Sequence, residues 1–547
     1  MDGTAIPRLL ACAETTNMKR TSLMYATALA AVLSPALSAQ LCETARLLAP
    51  DLQPSSGYGT ALAIDGQRIA IGAPQVGIGT NVVGAVYVFE SSSSGWTMVE
   101  RVVSPGPPNS SERFGGRVAL SGDRMVVSGN PGLNSVWVLR RNQGTWSQSN
   151  TILPPGYTYA TYFGESVAIA GEWIAVGMPQ ALGAPPVTVR TGAVHLFRDT
   201  NGATSHVATL QPSELDSVDQ FGIHVAMAGD VLVVGTAMRG IGGDGRAYVY
   251  RIVNDQPVFE TSLAPVGPSP GTASGSATFG NFVSTDGSSI AVADVNEAVA
   301  SFRTGSVTVW RHTGGAWVLD QRLTPSSDGC AFAERIAIAG DDLVASRGCG
   351  DQVFHFRRVG GVWSERSQTP RVAGSGWYRT RGIAVAGGLA VLGSDLSPGI
   401  GAVPNNVGEA RVLELGAGSW SFAPGLAGNG GYVPQLRGQG CPIFGQTYQL
   451  EVRDGVGATS GMLIFGTGGS ALSVFGGVLQ ILPIMTSVGF ATGGSPGIGG
   501  DGSALLPLSV PNAGLLGATI QAQVVLFDPA APQGLSITNA LQIVVGG

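Results

Sequence analysis

The sequence predicts an all-β chain, a seven-bladed β-propeller followed by a small β-sandwich-like domain, on three observations. Glycine and proline are abundant, at 82 and 32 of 547 residues, and only 12% of residues are charged against 44% hydrophobic, a balance that suits many short strands and tight turns better than long helices. A unit of about fifty residues recurs seven times. Within each unit, short apolar runs flank turns rich in Gly and Asp, the pattern of hairpins. A chain of this length exceeds what one core supports, so two or more folding units are expected.

The units are clearest at FGIHVAMAGDVLVVG from Phe221, FGESVAIAGEWIAVG from Phe163 and FGGRVALSGDRMVVS from Phe114. A first copy opens with Tyr58 (YGTALAIDGQRIAIG), and three diverged copies start at Phe279, Phe332 and Arg379, the last two having lost the aromatic-glycine pair in part or in whole. Successive anchors lie 56, 49, 58, 58, 53 and 47 residues apart. The turns Asp65-Gly66, Gly229-Asp230 and Asp286-Gly287 divide each opening run into two strands. A third strand follows as a glycine-led aromatic run, as in GAVYVF from Gly84 or GRAYVY from Gly245, and a fourth begins near Trp96, Trp146, Trp317, Trp363 or Trp420.

Four strands per unit describe a propeller blade. One such sheet has two apolar faces and cannot hide both alone, so blades stack around an axis and bury them mutually. The segment Thr44 to Pro50 matches the ending of a fourth strand, and SWSFAP from Ser419 stops short of that ending. The amino-terminal segment is therefore expected to complete the seventh blade alongside SWSFAP.

These units resemble the bacterial FG-GAP repeats, related to the propeller of integrin α subunits, and a literal Gly72-Ala73-Pro74 strengthens the likeness. The resemblance spans roughly residues 43 to 424 and implies a propeller with an extracellular binding or adhesive role. Many blades of that family carry an Asp-x-Asp-x-Asp-Gly loop for Ca²⁺, whose alternating oxygens wrap a hard cation. No such loop occurs here, and the nearest match, Asp294-Val295-Asn296, has Ala298 where a third oxygen ligand is needed. No metal and no cofactor is expected.

Met18-Lys19-Arg20, the apolar run Leu23 to Leu33 and the small residues Ala36 to Ala39 read as a signal peptide over 18–39, with 1–17 an overextended start. A membrane-anchoring helix is the alternative, although the apolar run is shorter than the ~20 residues a span needs. Export would leave four cysteines, an even number in an oxidising compartment. Cys330 and Cys349 lie on either side of the Gly340-Asp341 turn and are expected to emerge side by side as a disulfide, or to remain as two buried thiols. Cys42 with Cys441 then follows by elimination and would tie the start of the propeller, residues 40–424, to the second domain, 425–547.

In that second domain Asp454, Asp501 and Asp528 are the only charges from residue 454 onward. Alternating stretches such as TYQLEVR from Thr447, ATIQAQVVLF from Ala518 and LSITNALQIVV from Leu535 read as sandwich strands. The charge-free run Gly455 to Gly500 is weighed as a membrane span and set aside, because Gly, Ser and Thr interrupt it throughout and Pro483 sits inside it.

Motifs for chemistry are sparse. GPSPG from Gly267 and GGSPG from Gly493 match GxSxG, but each serine precedes proline in a loop with no helix to follow. GIGGDG, from Gly240 and from Gly497, matches GxGxxG but leads into a strand, so no helix N-terminus could receive a pyrophosphate. His195, His206, His224, His312 and His355 are scattered over several blades without an i,i+4 pair. The net charge of -6 and the lack of a Lys/Arg cluster argue against nucleic acid as a partner.

The expectation is a secreted or cell-surface, non-catalytic and monomeric protein with no transmembrane segment in its mature form. Its blade loops, such as QVGIGTNVV from Gln75 and QALGAPPVTVRT from Gln180, would meet an extracellular protein or glycan, as loops on rigid scaffolds do. Two other readings stay open: a secreted enzyme with a site at the propeller axis, and a structural envelope component.

Overall fold

A computed structural model describes residues 39–546, except 52–53, 79–80, 93–94, 106–111, 130–134, 157–161, 184–188, 216–218, 237–244, 267–277, 296–297, 300–301, 304, 328–330, 349–351, 370–379, 396–406, 417, 424, 440, 443–446, 475–476, 510–517 and 532. The segment 1–17, nearly all of the expected signal peptide, Cys330, Cys349, the anchor Arg379, and the strings from Gly240 and Gly267 (in whole or nearly so) lie outside the described residues.

Seven sheets with four antiparallel strands each form the propeller; six of them run in chain order from an inner first strand to an outer fourth, and Ala39–Gln40 adds in parallel to the outer strand of the sixth. Burial along the fourth blade shows why its sequence reads as it does. The first strand, His224–Ala228, alternates, because one face turns to the axis and the other to a neighbouring blade. Val231–Gly235 is buried throughout and so is the first half of Ala247–Val253, since blades cover both faces there. Gln256–Leu263 at the rim is largely exposed and ends on buried Leu263.

Ring closure is visible in the packing. Seven clusters of buried apolar side chains fill the seven gaps between neighbouring blades. The last gap joins Val391, Ala410 and Val412 of the seventh blade to Tyr58, Ile69 and Tyr87 of the first. Each anchor aromatic plugs one gap: Tyr58, Phe114, Phe163, Phe221, Phe279 and Phe332 are all at most 1% exposed.

Glycine sets the close approach at these gaps. A Cβ on Gly72 would stand 2.0 Å from the Gly115 carbonyl oxygen, and one on Gly84 would stand 2.2 Å from that of Phe114. The closing gap repeats the arrangement, with Gly393 facing the Gly59 carbonyl and Gly408 that of Tyr58. Where the second strand carries Ser128 in place of glycine, its hydroxyl donates to the Gly164 carbonyl at 2.6 Å.

The seventh blade consists of Thr380–Ala386, Leu389–Ser394 and Glu409–Glu414, with Cys42–Leu47 pairing antiparallel to the last of these as its outer strand. The amino-terminal segment thus completes the ring. Tyr58 ties into it, donating its hydroxyl to the Leu47 carbonyl at 3.1 Å. SWSFAP departs from expectation: Gly418–Ala423 pairs with Ala540–Val544 of the C-terminal module and not with the seventh blade. Cys42–Leu47 occupies the place beside Glu409–Glu414, which leaves SWSFAP to find a partner elsewhere.

That module is a two-layer sandwich. One sheet runs Gly418–Ala423, Ala540–Val544, Thr519–Phe527, Ser460–Val474 and Gly477–Ala491, with Leu535–Ile537 also pairing to Thr519–Phe527. The other is Gln435–Gln439, Thr447–Val456 and Gly499–Ser509. Tyr448, Leu450 and Val452 from the smaller sheet meet Leu463, Phe465, Val524 and Leu526 from the larger, the inner-face packing expected of a sandwich. Among the described residues no helix is long and apolar enough to cross a membrane, and much of the charge-free run lies in strands of this module.

Candidate functional site

The first strands of all seven blades surround an axial channel of about 640 Å³. Leu62, Val167, Ile169, Ala226, Ala337 and Ile383 are among its wall residues. Its charged and titratable groups gather at one end, where the first strands begin. The residues two and three places beyond each anchor meet there: Thr60, Arg117, Glu165, His224, Asn281, Phe282, Arg335 and Arg381, with Asp395 from the end of a second strand. Pro74 and Gln75, which open the first blade's second-to-third-strand loop, line the same space. The face with the expected binding loops therefore also holds the channel mouth.

The charges at this mouth are arranged unequally. Arg117 donates to the Glu165 carboxylate and, at 2.7 Å, to the Glu165 carbonyl. Arg381 Nε lies 3.2 Å from Asp395 Oδ2. Arg335 has no carboxylate partner at ion-pair distance among the described residues. It donates from Nε to the Arg381 carbonyl at 2.9 Å and from Nη1 to the Glu334 carbonyl at 2.6 Å. Its guanidinium lies 4.4 Å from the centre of the Phe282 ring, a cation–π contact. Burial, opposed by the negative charge of Glu334 and reinforced by the positive charges of Arg117 and Arg381, pulls its pKa down to about 10, so it stays charged at neutral pH.

His224 packs edge-on against the same ring at 5.3 Å. Its Nδ1 accepts the Val283 N–H at 3.4 Å, which puts the proton of the neutral ring on Nε2. Burial first, and then the Arg335 and Arg117 charges, push its pKa down to about 3. His224 is accordingly neutral under physiological conditions, and both carboxylates at the mouth are engaged by arginine.

The other four histidines do not line the channel. His195 is buried, with its pKa lowered to about 4 by burial and by His206, and its Nδ1 lies 3.0 Å from Thr209 Oγ1. His355 Nε2 sits 2.7 Å from Asp342 Oδ1 and its Nδ1 3.4 Å from Ser367 Oγ. That Ser-His-Asp line has the residue types of a hydrolytic triad. All three members are under 10% exposed, Arg357 holds both Asp342 oxygens at 2.7 Å, and the Ser367 strand is flanked by Ala39–Gln40. It is a buried polar network within the sixth blade.

Tryptophans at the rim latch one blade to the next. Trp317 donates its indole N–H to Glu260 at 2.8 Å, and Trp363 donates to Asp320 at 2.7 Å. Ser495 of the second GxSxG string accompanies a loop in which its N–H donates to Asp501 Oδ2. Cys42 is buried and packs against Cys441, both as free thiols in contact between the propeller's closing strand and the C-terminal module.

The FG-GAP repeat family model matches residues 42–89 and 204–250. FG-GAP repeats thus occur in this chain. The matched stretches take in the closing strand with most of the first blade, and the fourth strand of the third blade with most of the fourth, so the FG-GAP repeat here is cut across the blade boundary. Two crystal structures provisionally named as 6-phosphogluconolactonases, from Bacteroides uniformis and Bacteroides fragilis, overlap at a TM-score of 0.37 and 12% identity, over 56% of this chain and 83% and 82% of theirs. Overlap that low transfers neither structural detail nor activity to the FG-GAP propeller. No curated protein matches the chain.

Proposed function

We propose that the chain is an exported, non-catalytic binding protein, secreted or held at the cell surface, whose propeller presents one face to an extracellular protein or glycan. The observation that carries this reading is the sharing of one face by the second-to-third-strand loops and the polar channel mouth. Its carboxylates there are committed to Arg117 and Arg381 and its histidine is held neutral, an arrangement suited to recognition more than to proton transfer. The sandwich would serve as the attachment module. Purified mature protein should bind cells, matrix or a glycan panel, and a variant with residues 75–83 and 180–191 scrambled should not; equal binding by both, or by neither, overturns the reading.

Export carries a covalent consequence. We propose that Cys42 and Cys441 join as a disulfide, the two thiols losing two protons and two electrons to a disulfide-bearing oxidant of the export compartment, and that Cys330 and Cys349 form a second. Protein made in an oxidising compartment should show no free thiol after denaturation without reductant. Four reactive thiols would refute both bridges.

A further inference from the structure

We infer that the mouth of the axial channel is a binding site for the carboxylate of a small polar organic acid, the size of one or two sugar units, with Arg335 as its anchoring cation. The inference rests on the choice of binding face made above and adds the chemistry of the ligand.

Three guanidinium groups from the second, sixth and seventh blades face one space, and two of them already hold a carboxylate. Arg335 holds two backbone carbonyls and an aromatic ring, none of which cancels a full charge. Taking a cation out of bulk water is costly; the charges of Glu334 and Asp395 offset part of that cost, and the neighbouring Arg117 and Arg381 add repulsion. An anion in the mouth relieves both effects at once. Arg335 Nη2 appears in no hydrogen bond within the described structure, so it can donate to an incoming carboxylate, a charge-assisted bond of the stronger kind.

The rest of the mouth limits what the carboxylate can be attached to. Asn281 and Thr60 supply uncharged polar groups, and His224 offers an Nε2–H donor on the neutral ring. A channel of about 640 Å³ falls within the range of small-ligand sites. Glu165 and Asp395 stand at the same mouth and disfavour a multiply charged polyanion. A hydroxylated monocarboxylate, of which a hexuronic acid is the natural probe, satisfies the cation, the neutral donors and the volume together.

The test is calorimetric titration of the full mature chain with glucuronate, glucose, sodium sulfate and a disaccharide of glucuronate linked to glucose, which carries a single carboxylate. Glucuronate should bind at least tenfold tighter than glucose and tighter than sulfate, with affinity falling as salt is raised. R335M should weaken glucuronate at least tenfold, while R335K, which keeps the charge without the fork, should weaken it less. Tighter binding by the disaccharide assigns the site to a glycan chain end, and equal or weaker binding assigns it to the free acid. Glucuronate binding no better than glucose or sulfate overturns the inference, as does an R335M protein of unchanged circular dichroism that binds normally. If R335M fails to fold, the wild-type comparison of glucuronate with glucose and sulfate still decides. A chain that takes glucuronate yet binds no cell, matrix or glycan keeps the site and loses the broader function; the opposite result does the reverse.

Discussion

Ala247–Val253 in the fourth blade and Gly477–Ala491 in the sandwich are both apolar strands, and they meet opposite fates. The first has four buried residues in succession before it reaches the rim. The second begins buried and is then exposed over most of its latter half, with Ile484, Met485 and Val488 at 50%, 62% and 51%. A blade repeated around a ring has a cover on each face. The long strand lies at the edge of its sheet, and the three-stranded sheet opposite is too narrow to reach all of it. Repetition, more than hydrophobicity, decides which apolar strand becomes core.

Gly235→Val offers the harshest challenge to that view, because a Cβ there would stand 1.9 Å from the Gly280 backbone oxygen of the next blade. Backbone cannot yield as a side chain can, so the ring should fail to close and the chain should be recovered insoluble or without a cooperative thermal transition. Folding of this variant with an unchanged melting temperature would mean that the blades are not held at glycine contact. Phe221→Ala empties one gap and leaves backbone contacts intact. It should cost about 3–5 kcal/mol, read by denaturant unfolding, and a loss below ~1 kcal/mol would show that anchors are not where the ring is held.

Acid separates the two regions differently, since all five histidines lie in the propeller. Burial lowers the pKa of His195 to about 4 and of His224 to about 3, whereas the unfolded chain protonates near 6.5. The unfolded state therefore binds more protons below that value. Stability from these two groups is fully present above pH 6.5 and is lost as pH falls toward 3. A His195→Gln/His224→Gln variant should lose less stability than wild type between pH 6.5 and 4, and identical pH profiles would count against neutral burial. The smallest effect belongs to Met485→Lys on the exposed sandwich strand, expected within ~0.5 kcal/mol of wild type; a large destabilisation would show that this face is covered.

Much of the propeller was legible along the chain. Phe114, Phe163 and Phe221 recur with their glycines at blade spacing, and the match of Thr44 to Pro50 to a strand ending pointed to the closing strand. The destination of SWSFAP was not legible, because a strand's apolar alternation says which face is buried and nothing about which sheet receives it. The axial mouth was also hidden. Arg117, Arg335 and Arg381 occur singly in different repeats, at positions where other blades carry Ser, Phe or Thr, so no local window contains a basic cluster. Asp342, His355 and Ser367 lie on three successive strands of the sixth blade, and only strand pairing brings the three side chains into line.

What the sequence determined by itself is the repeat, and with it the blade. Local hairpins, buried anchors and glycine at each gap are encoded within about fifty residues, the range over which chain periodicity speaks directly. Tertiary structure alone decided which residues share the axis and that SWSFAP joins the sandwich. Those outcomes depend on closure of the ring, which brings seven first strands together and seats Cys42–Leu47 beside Glu409–Glu414, and no single repeat contains it.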